Sequence, residues 1–116
     1  SGVGEIFSAS EFYDYDAKYN NAESKTVVPA KLEKEITDNI REIAIKIFKA
    51  VEGTGLARVD FLIQKNTNRI IFNELNTMPG FTSISMYPML WEAEGKSKEL
   101  LIDELIALAF SKQQCK

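Results

Sequence analysis

The sequence predicts an α+β fold in which an antiparallel β-ribbon packs with helices. Three features carry that expectation: an apolar run with helical spacing in the second quarter of the chain, two strand-like segments divided by a short polar stretch, and a second helical stripe toward the C-terminus. Residues 1–25 are rich in Tyr, Asp, Asn and Ser, with Phe7, Phe12, Tyr13, Tyr15 and Tyr19 irregularly placed. They sustain neither a period of 2 nor one of 3.6, so they read as mostly loop. Residues 26–30 read as extended, because Val28 precedes Pro29 and a residue before proline is driven toward the β or polyproline region. From Leu32 onward, Ile36, Ile40, Ile43, Ala44, Ile47, Phe48 and Val51 recur at steps of three and four. A helix there buries that face and turns Glu33, Asp38, Glu42, Lys46 and Lys49 outward, with Gly53 and Gly55 expected to stop it.

Residues 56–63 and 69–76 are β-rich and flank the polar run Gln64-Lys65-Asn66-Thr67-Asn68, which predicts an antiparallel hairpin. Met78-Pro79-Gly80 then opens a loop, followed by a short helix over 84–93. A last helix over 97–111 follows Gly95, with Ser97 as its N-cap and Leu100, Leu101, Leu105, Leu108 and Ala109 as its apolar stripe. The chain contains no internal repeat and no low-complexity stretch.

A length of 116 residues fits a single domain, and 45% hydrophobic residues can fill one core. With 14 Lys+Arg against 17 Asp+Glu and a formal net charge of -3, nothing favours nucleic acid or an anionic membrane as a partner. Cys115 is the only cysteine, so an internal disulfide framework is excluded and a reducing, cytoplasmic setting is expected. The absence of histidine removes imidazole bases, His-Asp-Ser relays and His-ligated zinc from this chain. No apolar run approaches the ~20 residues that span a bilayer, and Ser1-Gly2-Val3-Gly4-Glu5 has no secretory character.

Chemistry concentrates in the hairpin, where Arg58, Asp60, Asn73, Glu74 and Asn76 interrupt otherwise apolar strands. Alternation puts Arg58 with Asp60 on one face, and Glu74 with Asn76 on one face of the next strand. A turn centred on Thr67 sets Asp60 opposite Glu74 and Arg58 opposite Asn76, so all four share one patch. Two opposed carboxylates repel unless a cation offsets them. Carboxylates with an amide carbonyl are hard oxygen donors suited to Mg²⁺ or Mn²⁺, and Mg²⁺ commonly joins few carboxylates to substrate phosphates, which makes an ATP site one reading. The other is a solvated sheet face on which Arg58 pairs with Asp60 or Glu74, worth about 0 to 1 kcal/mol. In the loop Asn76-Thr77-Met78-Pro79-Gly80-Phe81-Thr82-Ser83-Ile84-Ser85, backbone N–H groups near Gly80, hydroxyls and a helix start suit an anion. The same loop also reads as a Pro-Gly turn with a capping serine.

Ala57-Arg58-Val59-Asp60-Phe61, Asn73-Glu74-Leu75-Asn76-Thr77-Met78-Pro79-Gly80-Phe81-Thr82 and Ser85-Met86-Tyr87-Pro88 together resemble the C-terminal portion of the D-alanine:D-alanine ligases of the ATP-grasp superfamily. Phe12-Tyr13-Asp14-Tyr15-Asp16-Ala17-Lys18-Tyr19 resembles that family's active-site ω-loop. The resemblance covers nearly the whole chain, with 1–25 as the ω-loop segment and 26–116 as the metal-binding hairpin and helices. It implies the C-terminal part of an ATP-grasp domain and a cytoplasmic, homodimeric parent enzyme that condenses D-alanine at the expense of ATP to make a peptidoglycan dipeptide. In that family a D-alanine carboxylate takes the γ-phosphate to give an acyl phosphate, which the amine of a second D-alanine attacks.

The resemblance assigns two Mg²⁺ (or Mn²⁺) ions to Asp60, Glu74 and Asn76, with Glu74 as the bridge. It assigns oxyanion stabilisation to Arg58 and the Gly80 N–H, an effect worth about 3 to 4 kcal/mol per donor in acyl transfer. Ser85 matches the serine that binds the second D-alanine's carboxylate, and Lys18 and Tyr19 match the ω-loop pair that closes over it and excludes water. The related D-alanine:D-lactate ligases carry a histidine in that loop, which this chain lacks, whereas a D-serine acceptor is compatible with these residues. The family's phosphate-gripping lysines and ribose-binding acids have no counterpart here, so Ser1 is expected to mark a boundary within a longer ligase and the isolated chain to be inactive and prone to self-association. Two alternatives stand beside this reading: a noncatalytic partner-binding module, and another ATP-grasp carboxylate-amine ligase.

Overall fold

The computed structural model describes residues 1–7 and 25–114. The described residues form an α+β arrangement of two small antiparallel sheets and three helices. Strand β1 (Glu5–Phe7) pairs with β2 (Lys25–Val27), Ile6 lying opposite Thr26. Within a stretch that reads as mostly loop, β1 is an addition: three residues are too few to display a period, and the partner strand lies far along the chain. Beyond it, the Ala30 N–H donates to the Val3 carbonyl at 2.8 Å.

Helix α1 (Lys34–Ala50) buries Ile40 and partly covers Ile36, Ile43, Ala44, Ile47 and Phe48, as the spacing predicts, whereas Val51, placed on the same face, lies past the helix end and is exposed. Its end differs from expectation. The Glu52 N–H reaches the Lys49 carbonyl at 3.0 Å and the Gly53 N–H reaches Phe48 at 2.8 Å, so two otherwise unpaired carbonyls are satisfied in a closing loop. The first left-handed residue after the helix is Glu52, at φ 54°, followed by Gly55 at φ 81°. Gly53 serves by lacking a side chain, because a Cβ there would lie 2.4 Å from the Phe48 ring.

Strands β3 (Arg58–Gln64) and β4 (Arg69–Asn76) form the hairpin. The connecting residues 65–68 close through the Asn68 N–H, which donates to the Gln64 carbonyl at 2.9 Å, with Asn68 left-handed at φ 53°. The register has two halves: Gln64 pairs with Arg69 and Phe61 with Phe72, whereas Asp60 pairs with Glu74 and Arg58 with Asn76. The difference is a β-bulge at Asn73. A turn centred on Thr67 therefore describes the site half of the ribbon, and the turn half is shifted by one residue. On the opposite face Phe61 and Phe72 meet edge to face at 6.1 Å.

Helix α2 (Met86–Glu92) buries Tyr87 and Pro88 and ends on Gly95 at φ 85°, whose N–H returns to the Glu92 carbonyl at 2.9 Å. Its start is two residues later than predicted. Helix α3 (Lys98–Gln114) opens as expected, with Ser97 Oγ accepting the Leu100 N–H at 3.2 Å. Its predicted stripe is only partly correct. Leu101 is 3% exposed and Leu105 half-buried, but Leu100, Leu108 and Ala109 face solvent along with Ile102, Ile106 and Phe110. Apolar residues surround this helix, so no single stripe can be picked out by spacing, and the described residues cover one side. No helix among the described residues is long and apolar enough to cross a membrane.

Candidate active site

The bulge decides what the hairpin presents. Phe72 shares a face with Phe61, and Glu74 shares the other face with Asp60, although Glu74 is only two positions beyond Phe72 along the strand. An uninterrupted strand would put both side chains on one face. The extra residue, Asn73, reverses the alternation, so the aromatic pair stands on one face and both carboxylates stand on the other. Two consecutive polar residues in mid-strand, Asn73-Glu74, are the signal from which the bulge could have been read.

Arg58 binds the two carboxylates together. Its Nε and Nη2 donate to Asp60 Oδ1 and Oδ2, both at 2.8 Å, and Nη2 also donates to Glu74 Oε1 at 3.3 Å. The first pair is bidentate and charge-assisted, the stronger kind of ion pair. The hydrogen bond from Arg58 to Asp60, ahead of the nearby negative charges, holds the guanidinium above its ordinary pKa. Among the described residues Nη1 has no acceptor, so one edge of the guanidinium remains open to a further anion.

The donor chemistry fits a magnesium ion in part through protein oxygens and in part through water. Side-chain exposures of 32% for Asp60 and 56% for Glu74 leave both carboxylates reachable by a hydrated cation. Each carboxylate has about four lone-pair sites, so Asp60 can accept two Arg58 N–H groups and still offer oxygen to a cation. Asn76 Oδ1 accepts the Met78 N–H at 3.0 Å, which fixes the carbonyl and leaves its second lone pair. Among the described residues no three carboxylate, thiol or imidazole groups cluster as a metal cage. Mg²⁺, which is often held by one or two carboxylates, waters and substrate phosphates, does not require one.

The loop after β4 brings in Gly80 and Ser85. Pro79 is buried and Gly80 is exposed, and the Gly80 N–H has no acceptor among the described residues. Ser85 occupies the N-cap position of α2 but makes no capping bond from its side chain. Its Oγ turns back into the loop, where it accepts the Thr82 N–H at 2.9 Å and meets Thr82 Oγ1 at 2.8 Å. The capping-serine alternative is thereby corrected. A Cβ on Gly80 would lie 2.8 Å from Ser85 Oγ, so the glycine gives that hydroxyl its space. Thr82 escaped the sequence reading, since nothing in the spacing distinguishes it from an ordinary loop threonine. The structure therefore brings together Arg58, Asp60 and Glu74 on the hairpin, with Asn76 opposite Arg58, and separately brings Gly80 and Ser85 together in the loop that follows. Lys18 and Tyr19 lie outside the described residues.

Comparison with known proteins points the same way. The family model for the D-ala D-ala ligase C-terminus matches residues 1–107. The D-alanine--D-alanine ligase B of Clostridium tetani is 57% identical over 108 residues, which are 93% of this chain and 30% of that protein. The VanG D-Ala:D-Ser ligase of Enterococcus faecalis superimposes with a TM-score of 0.77 at 41% identity, covering 90% of this chain and 30% of that structure. The Bacillus anthracis D-alanine--D-alanine ligase complexed with ATP gives a TM-score of 0.79 at 28% identity, covering 97% and 36%. The chain thus spans about a third of the length of the relatives it matches.

Proposed function

This chain belongs to the D-ala D-ala ligase C-terminus family, and we propose that it is the metal-binding and oxyanion-stabilising part of an ATP-dependent D-alanine:D-alanine ligase of the ATP-grasp type. The observation that carries the proposal is Arg58 spanning the opposed Asp60 and Glu74 with one guanidinium edge still open. The enzyme condenses two D-alanines for peptidoglycan synthesis. A carboxylate oxygen of the first takes the γ-phosphoryl group of ATP, releasing ADP. The amine of the second then attacks the acyl phosphate, and the tetrahedral oxyanion collapses with loss of phosphate and a proton.

Asp60, Glu74 and Asn76 would hold Mg²⁺, which when bound supplies positive charge to the phosphates. Arg58 directs its open Nη1 edge at the charge that develops, because Asp60 and Glu74 fix its other edge and no reorganisation is needed during the reaction. The Gly80 N–H is the second donor to the oxyanion. Ser85 donates to the carboxylate of the acceptor D-alanine, beside Gly80, where the carbonyl under attack must also lie. Lys18 and Tyr19 close over the acceptor and exclude the water that would hydrolyse the acyl phosphate.

The similarity to a D-Ala:D-Ser ligase favours one second reading, in which D-serine is the acceptor. Both are tested with the full-length enzyme by following ADP and dipeptide formation from ATP with D-alanine alone and with D-serine added. Asp60→Asn and Glu74→Gln are each expected to abolish turnover while leaving the fold intact. Wild-type-like turnover in both would remove the metal assignment, and preferential capture of D-serine would replace the acceptor.

A further inference from the structure

The serine in the loop before α2 has a neighbour with a role of its own. We propose that Thr82 is a positioning residue that fixes the direction in which the Ser85 hydroxyl donates, and so sets affinity for the acceptor amino acid. The proposal rests on the reading of Ser85 as the ligand of the acceptor carboxylate.

A serine hydroxyl has one proton to donate and two lone pairs that accept. One lone pair of Ser85 Oγ takes the Thr82 N–H at 2.9 Å. The contact with Thr82 Oγ1 at 2.8 Å then has two polarities. If Ser85 donates to Thr82, no proton is left for a ligand. If Thr82 donates to Ser85, both lone pairs are filled and the Ser85 proton is directed outward. A carboxylate only accepts, so it selects the second arrangement. In that arrangement the Thr82 hydroxyl polarises the Ser85 O–H as well as orienting it.

Two further features tie the unit to binding in place of helix stability. Ser85 forgoes a side-chain cap on α2, a bond typically worth about 1 kcal/mol, in favour of the loop. The Ser85 N–H also donates to the Thr82 carbonyl at 3.2 Å, so the two residues are locked reciprocally, with Gly80 leaving the space into which the hydroxyl projects.

The test uses the full-length enzyme with Thr82→Val, Thr82→Ser, Ser85→Ala and the Thr82→Val/Ser85→Ala double variant, each checked for an unchanged melting temperature. Loss of one neutral hydrogen bond predicts that Thr82→Val raises the acceptor KM about threefold to tenfold. KM for ATP and for the first D-alanine should stay close to wild type. Thr82→Ser should recover most of the loss, and Thr82→Val should add nothing in the Ser85→Ala background, since residues acting through one another are not additive. An unchanged acceptor KM in Thr82→Val, or a loss of the same size with Ser85 already removed, overturns the proposal. A wild-type enzyme that ligates D-alanine, with Ser85→Ala unaffected in acceptor KM, shows that the Ser85 assignment is at fault. A wild type with no ATP-dependent ligation removes the parent function, and this inference falls with it.

Discussion

Replacing Arg58 with methionine keeps the apolar stem and removes the cation that, among the described residues, holds Asp60 and Glu74 together. Charge-assisted hydrogen bonds run to about 1.5 to 3 kcal/mol in sheltered positions. Arg58 and Asp60 are 29% and 32% exposed, so solvent reduces the bidentate pair to about 1 to 2 kcal/mol in total. The 3.3 Å contact to Glu74, which is 56% exposed, adds only a few tenths. In metal-free buffer Arg58→Met should therefore unfold about 1 to 2 kcal/mol more easily than wild type. The two bare carboxylates should then bind Mg²⁺ more tightly than they do when the guanidinium competes. A divalent ion at ~100 times its dissociation constant stabilises the state that binds it by about 2.7 kcal/mol, enough to offset the loss. Activity should behave oppositely, because under the proposed function a cation held on the carboxylates does not replace Arg58 as oxyanion donor, and kcat should fall about a hundredfold to a thousandfold. Urea denaturation of the full-length enzyme in chelator and in excess Mg²⁺, beside steady-state kinetics, measures both. A stability deficit that Mg²⁺ does not reduce, or a rescue that persists when Asp60→Asn is added, would refute the shared-cation account of this patch.

Three other outcomes follow from the packing. Glu52→Gly should raise stability by about 1 kcal/mol, because it relieves a left-handed conformation that L-residues disfavour, and thermal melting reads it. Leu101→Ala should cost about 2 to 3 kcal/mol, at the low end for core leucines because the surrounding core is thin, whereas exposed Leu100→Ala and Leu108→Ala should stay within about 0.5 kcal/mol in the same urea titration. Burial raises the Tyr87 phenol above its usual pKa of about 10. Folding thus favours the protonated form, so its contribution is complete below pH ~10 and is lost as pH rises through the folded value. Tyr87→Phe should melt with a flatter alkaline dependence than wild type, and identical slopes above pH ~10 would exclude the assigned cause.

The parts of the fold that were legible depend on neighbours in sequence. The inward face of α1 repeats every three or four residues, the hairpin is closed by a four-residue connection, and Ser97 caps α3 by accepting the N–H of Leu100, three residues on. Each is decided within one or two turns of chain. What escaped depends on partners far away or on the absence of a pattern. Strand β1 exists through its pairing with β2, and its three residues hold no signal of their own. The stripe on α3 could not be singled out because Leu100, Ile102, Ile106 and Phe110 supply apolar surface on several sides. Glu52 takes the left-handed position one residue ahead of the glycine that a stop signal would nominate, since φ near 54° is tolerated there once two backbone hydrogen bonds close the loop.

Why the site was more legible than the core follows from the same distinction. Arg58, Asp60, Glu74 and Asn76 sit on one hairpin, and only the register and the face had to be right for them to meet. The register was right for a reason the turn alone did not supply. Residues 65–68 set a pairing that, continued unchanged, would oppose Asp60 with Asn73 and turn Glu74 away from it. The bulge absorbs the one-residue difference just before the carboxylate pair is reached. Asn73 therefore reconciles two demands that a regular ribbon of this sequence cannot meet together, Phe72 against Phe61 on one face and Glu74 beside Asp60 on the other. A local irregularity of this kind costs ladder pairing and leaves a residue unmatched. Its place between an aromatic pair and the two opposed carboxylates is what lets one strand hold the ring contact on one face and bring the carboxylates together on the other.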